Sequence, residues 1–92
     1  MGSNLQKPSK HRVLLVDDDE GLRRVVAVTL GEDEFDLLFA GDGEEAVAVA
    51  RRYHPQLILL DVSMPRMSGF DVCRTLKSDP STADIKIIML SA

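Results

Sequence analysis

Three largely apolar stretches of this chain each run into side chains with oxygen to offer. Val13-Leu14-Leu15-Val16 leads into Asp17 and Asp18, Leu57-Ile58-Leu59-Leu60 into Asp61, and the run from Ile85 to Leu90 into Ser91. Carboxylates brought within a few ångströms repel one another, and their pKa values rise unless a cation shares the site. A hard divalent ion meets that need. Carboxylates, waters and a backbone carbonyl suit Mg²⁺, which takes oxygen ligands octahedrally and keeps part of its hydration shell. No cysteine or histidine lies near these positions in sequence, so zinc is not indicated. A carboxylate beside such an ion can attack a phosphoryl donor and become an aspartyl phosphate, while the metal offsets charge on the transferring oxygens. Asp61 is the candidate nucleophile, and the Ser91 hydroxyl is a candidate donor to a phosphoryl oxygen.

Acidic residues after a strand also cap the next helix or sit in solvent, and Asp19 is the expected cap here. Taken alone, Asp17 and Asp18 would read that way. The coincidence of oxygen-bearing side chains at three separate strand ends favours chemistry.

Positioning these groups requires strands that end on one edge. From Val13 onward, short apolar runs alternate with amphipathic stretches, and the pattern holds no repeats or low-complexity tracts. The spacing predicts strands over 13–16, 35–40, 57–60 and 85–90. The first helix carries Leu22, Val25, Val26, Thr29 and Leu30 inward and stops at Gly31. The second turns Ala46, Val49, Ala50 and Tyr53 to the core and cannot continue past Pro55. The third runs near Phe70 to Ser78 with Ser68 as its cap, and places Phe70, Cys73 and Leu76 on one face. Fully apolar strands joined by helices imply right-handed crossovers and a parallel sheet covered on both faces. The α/β fold expected is a doubly wound, flavodoxin-like sheet of order 2-1-3-4, which sets the first and third strands side by side. Neighbouring strands lie about 4.8 Å apart, so Asp17, Asp18 and Asp61 can meet in one pocket.

At 92 residues there is room for one small domain. Residues 1–12 read as a flexible leader, in part a cloning remnant, and residues 13–92 as the domain. Eleven basic against 15 acidic side chains leave a net charge of −4, the wrong sign for a domain gripping nucleic acid. The chain shows no membrane-spanning run and no signal peptide, and a reducing cytoplasm is expected. The lone Cys73 is expected as a buried thiol and Met64, Met67 and Met89 as loop and core fillers. Arg23-Arg24 and Arg51-Arg52 read as solvated helix faces, and His54 as a helix-end residue.

Three segments in order resemble the successive signatures of response-regulator receiver domains: Val13-Leu-Leu-Val-Asp-Asp-Asp19, Leu59-Leu-Asp-Val-Ser-Met-Pro65 with Gly69-Phe-Asp71, and Ile88-Met-Leu-Ser-Ala92. The Gly41-Asp42-Gly43-Glu44-Glu45-Ala46 turn is also typical of that family. The resemblance implies Asp61 as phosphoacceptor, Asp18 as a direct Mg²⁺ ligand, Asp17 as a mainly water-mediated one and the Ser63 backbone carbonyl as another. It implies Ser91 as the switch hydroxyl and a phosphohistidine on a sensor histidine kinase as the donor. Such domains normally continue through a further helix, strand and helix with a functional lysine, so the chain is expected to be a truncated receiver.

Two other readings compete. An inactive half-domain for folding or assembly is one. The other is a haloacid-dehalogenase-type phosphohydrolase, which Asp17-x-Asp19 resembles and which would make Asp17 the nucleophile, although that family needs extra elements directly after its first strand. The apolar strand Ile85 to Leu90, with only Lys86 opposing edge pairing, further predicts a homodimer or a domain-swapped assembly.

Overall fold

The apolar runs become strands and the amphipathic stretches helices. In the computed structural model, which describes residues 11–31 and 33–90, the order is β1 (His11–Val16), α1 (Glu20–Leu30), β2 (Phe35–Ala40), α2 (Gly43–Tyr53), β3 (Leu57–Asp61), α3 (Gly69–Ser78) and β4 (Lys86–Leu90). All neighbouring strands are parallel, in the order β2-β1-β3-β4. This is the expected flavodoxin-like arrangement. Val16 pairs with Leu60, so Asp17 and Asp61 leave the sheet at the same level.

β1 opens at His11, two residues before the expected start of the domain. The reason is local: the Arg12 backbone N–H donates to Gln56 Oε1 at 2.6 Å, and its guanidinium reaches Asp36 and the carbonyl of Tyr53. The rest of the expected leader lies outside the described residues.

Alternating residues of β1 and β3 serve two cores. Leu14, Val16, Ile58 and Leu60 pack with Ala46, Val47, Ala50, Val72 and Leu76 of α2 and α3. Val13, Leu15, Leu57 and Leu59 face the other way, with Val26, Ala27 and Leu30 of α1. Helices on both faces are what allow these strands to be apolar throughout.

Each helix buries a stripe with spacing i, i+3, i+4, i+7, the pattern of one helical face. The stripes are Arg23, Val26, Ala27 and Leu30 in α1, Gly43, Ala46, Val47 and Ala50 in α2, and Gly69, Val72, Cys73 and Leu76 in α3. They share Val26, Leu30, Ala46, Ala50, Cys73 and Leu76 with the expected faces and differ at the remaining positions. Leu22, Val25 and Thr29 are exposed, as are Tyr53 and Phe70, while Ala27 and Val47 turn inward. Small residues occupy the tightest positions of these stripes: Ala27 packs in the α1 core, Gly43 lies against the Met67 side chain and Gly69 against the Asp61–Val62 backbone, while larger apolar neighbours face outward. Cys73 is half-buried against the α2/α3 core, along with Met67 and Met89, and Met64 is buried in it.

Every helix begins on the carboxyl edge of the sheet and is capped there by a side chain. Asp19 accepts from Leu22 N, Asp42 from Glu45 N and Ser68 from Asp71 N. The first member of each buried stripe, at position 23, 43 or 69, therefore stands beside that edge.

Candidate acidic site at the carboxyl edge of the sheet

Because β1 and β3 are adjacent and in register, their ends bring Asp17, Asp18 and Asp61 together. One carboxylate oxygen from each lies within 4.8 Å of the others. Asp17 and Asp61 are half-buried and Asp18 is exposed. Asp19 turns away to cap α1, accepting from Leu22 N at 3.2 Å.

The cluster is held by backbone donors. Asp17 Oδ1 accepts from Asp19 N at 2.8 Å, and Asp61 Oδ1 accepts from Ser63 N at 3.0 Å. The Asp17 N–H extends the β1–β2 ladder by donating to the Ala40 carbonyl at 3.1 Å. Burial pushes the Asp17 pKa above the ordinary aspartate value; the Asp19 N–H pulls it down, and the charges of Asp61, Asp18 and Asp19 push it further up. An anionic cluster in this state is stabilised by a cation.

The loop from Asp61 to α3 is shaped by Gly69. Its N–H donates to the Val62 carbonyl at 3.0 Å, and a β-carbon at Gly69 would stand 2.5 Å from the Asp61 carbonyl oxygen. Ser68 and Asp71 complete a reciprocal capping box that fixes where this loop becomes a helix. Val62 N donates to the Leu90 carbonyl at 3.0 Å, which joins the loop to the end of β4. Ser63, whose carbonyl is an expected metal ligand, is exposed on the same loop. Ser91 lies outside the described residues.

Arg23 escaped the reading of the sequence as a participant, and Gly43 and Gly69 entered it only within the family's signature segments. Arg23, read there as part of a solvated face, is half-buried and donates from its guanidinium to the Asp17 carbonyl. Gly43 faces the Met67 side chain of the β3–α3 loop, and Gly69 faces Asp61. The available signal was the i, i+3, i+4, i+7 stripe that begins at each of these positions.

Residues 13–92 match the family model described as the response regulator receiver domain. The chain belongs to this family. It is 39% identical over 83 residues to a probable transcriptional regulator ycf27 of Porphyridium aerugineum, covering 90% of this chain and 33% of that protein. It is 40% identical over 83 residues to the DNA-binding response regulator MtrA of Mycolicibacterium smegmatis, covering 90% and 35%. The N-terminal domain of a response regulator receiver protein from Methanoculleus marisnigri superposes with a TM-score of 0.86 at 33% identity, covering 91% of this chain and 68% of that one. This receiver thus spans about a third of the length of the curated relatives it matches and about two thirds of its solved neighbour.

Receivers are signalling modules and not classical enzymes. The phosphohydrolase reading loses its basis, since α1 starts at Glu20 directly after β1 and the receiver match includes both Asp17 and Asp19. Among the described residues, no helix is long and apolar enough to cross a membrane.

Proposed function

We propose that this receiver takes a phosphoryl group from a phosphohistidine of a sensor histidine kinase onto Asp61, with Mg²⁺ as its cofactor. The observation that carries the reading is the placement of three carboxylates within 4.8 Å of one another on adjacent strands. Three oxygen donors, two of them half-buried, fit a hard cation and offer nothing to a soft one. Asp18 and Asp61 would hold the ion directly, with the Ser63 carbonyl, and Asp17 would act mainly through water. When bound, Mg²⁺ supplies positive charge for the oxygens of the transferring group.

The chain's own residues do the rest. The Asp61 carboxylate oxygen forms the new P–O bond as the P–N bond of the donor breaks, and the released imidazole nitrogen takes up a proton. The Ser63 N–H bond to Asp61 Oδ1 leaves the other carboxylate oxygen for attack. The Ser91 hydroxyl, one residue beyond β4, donates to a phosphoryl oxygen and acts as the switch group.

DNA binding belongs to the names of relatives about three times as long. With its net charge of −4, the receiver itself is proposed to make no direct nucleic-acid contact. A cytoplasmic setting is proposed from the kinase partner.

Intact-mass spectrometry after incubation with acetyl phosphate and Mg²⁺ tests the assignment. One phosphoryl group should add to the wild type and none to Asp61→Asn. Equal modification of both, or phosphate mapped to Asp17, would overturn it.

A further inference from the structure

Arg23 is the one charged member of the inward stripes of the three helices. Its guanidinium donates to the backbone carbonyl of Asp17 in a partly buried position. The same nitrogen, Nη1, lies against the β2–α2 turn, where it would be 3.2 Å from a β-carbon placed on Gly41. That turn is itself held, because Gly41 N donates to Glu45 Oε1 at 2.7 Å. Arg23 thus spans from α1 across the end of β1 to the loop after β2.

Asp17 is consequently engaged through every polar group it has. Its N–H donates to Ala40, its carbonyl accepts from Arg23, and its side chain accepts from Asp19 N. The peptide between Asp17 and Asp18 carries two of the three carboxylates of the cluster, and the Arg23 bond fixes its rotation. By charge alone a guanidinium beside a cation site is unfavourable, since like charges repel. A geometric role has the opposite sign.

We infer that Arg23 is a positioning residue for the acidic site: by binding the Asp17 carbonyl it aims the Asp17–Asp18 peptide, and hence the Asp18 carboxylate, at a divalent cation. This rests on the Mg²⁺ reading of the cluster. Groups that orient ligands without touching a metal commonly govern affinity by an order of magnitude or more.

The two signs make the inference testable. Arg23→Met keeps the aliphatic stem and removes the donors and the charge; positioning predicts Mg²⁺ binding about tenfold weaker, whereas a pure charge effect predicts tighter binding. Arg24→Met, which removes the same charge from an exposed neighbour paired with Glu20, should leave affinity unchanged or slightly tighter. Arg23→Lys, with a donor and the charge but no planar fork, should recover part of the loss. Affinities come from amide NMR titration with MgCl₂, and folding of each variant from its urea midpoint.

A second readout needs no metal. The Asp18 N–H lies in the peptide whose carbonyl Arg23 binds, so in metal-free Arg23→Met that amide should shift and exchange faster with solvent, and in Arg24→Met it should not. Equal or tighter Mg²⁺ binding by Arg23→Met, with the Asp18 amide unmoved, overturns the inference. A wild type silent to Mg²⁺ overturns the cation reading itself, and the Asp18 amide then still decides whether Arg23 holds the peptide. If Arg23→Met does not fold, Arg23→Lys carries both measurements, and wild-type behaviour in both overturns the inference.

Discussion

Gly69 leaves no space for a side chain because the backbone carbonyl of Asp61 stands where its β-carbon would be, 2.5 Å away, with Val62 Cα at 2.9 Å. The obstacle is backbone, so Gly69→Ala must displace the loop that carries Asp61. A loss of about 1–3 kcal/mol is expected, the usual range for overpacking. Gly43→Ala meets Met67 at its Cβ and Cγ, both 2.8 Å away, so the thioether end can repack but the root of the side chain must shift with its loop. Urea denaturation should therefore rank Gly69→Ala below Gly43→Ala, and Mg²⁺ binding should weaken more in the former.

Asp17 should trade stability for cation binding. Its folded-state pKa is raised, first by burial and then by the neighbouring Asp61, Asp18 and Asp19 charges. The charged form therefore opposes folding above that pKa, and the opposition is relieved as pH falls through it. Asp17→Asn should melt higher than the wild type without metal at neutral pH. Adding Mg²⁺ should raise the wild-type melting temperature and affect the variant less. Identical melting of the two proteins with and without Mg²⁺ would remove the electrostatic conflict at this site.

Acid should destabilise the fold through other carboxylates. Asp71 sits below the ordinary value of 3.8 because the Ser68 N–H and hydroxyl, then Arg74, bind its charged form. Asp79 is lowered by the N–H and hydroxyl of Ser81, helped by Arg51, and Asp84 by His54. A lowered folded pKa contributes stability that is complete above the unfolded value and lost as pH falls through the folded one. Urea midpoints should hold down to about pH 5 and decline below about pH 4. Asp71→Asn should decline less steeply, and an unchanged slope would show that the capping box is not titrating there.

Self-association is proposed through β4. Among the described residues this strand pairs only with β3, and Ile88 and Leu90 on it are 49% and 41% exposed. An unpaired apolar edge is a template for another strand, and burial at roughly 25 cal/mol per Å² favours a second copy over water. Lys86 is the one charge on the strand. Light scattering over a dilution series should show a dimer that dissociates on dilution and that Ile88→Lys weakens. A monomer at all concentrations would rule the dimer out.

Reading the residues in order was enough to place all seven elements, because apolar runs bounded by turn signals have one economical arrangement as strands and helices. It was also enough to identify the acidic cluster, since strands of a parallel sheet end on one edge and Asp17, Asp18 and Asp61 follow directly on theirs. The caps Asp19 and Ser68 were legible for a similar reason, as a side-chain oxygen before a helical pattern has one common use. The phase of each helix was legible only in part: Val26, Leu30, Ala46, Ala50, Cys73 and Leu76 were read as inward and are, while the edges of the stripes were misplaced. Rotation by one residue moves a stripe by roughly 100°, and the larger apolar residues suggested Leu22, Tyr53 and Phe70 as inward where the structure selected Arg23, Val47 and Gly69. Glycine and alanine carry little hydrophobic signal, yet they mark where backbones come closest. Only the packed structure shows that the closest approach falls beside the acidic site, and that a charged Arg23 shares the inward stripe because the Asp17 carbonyl lies there to receive it.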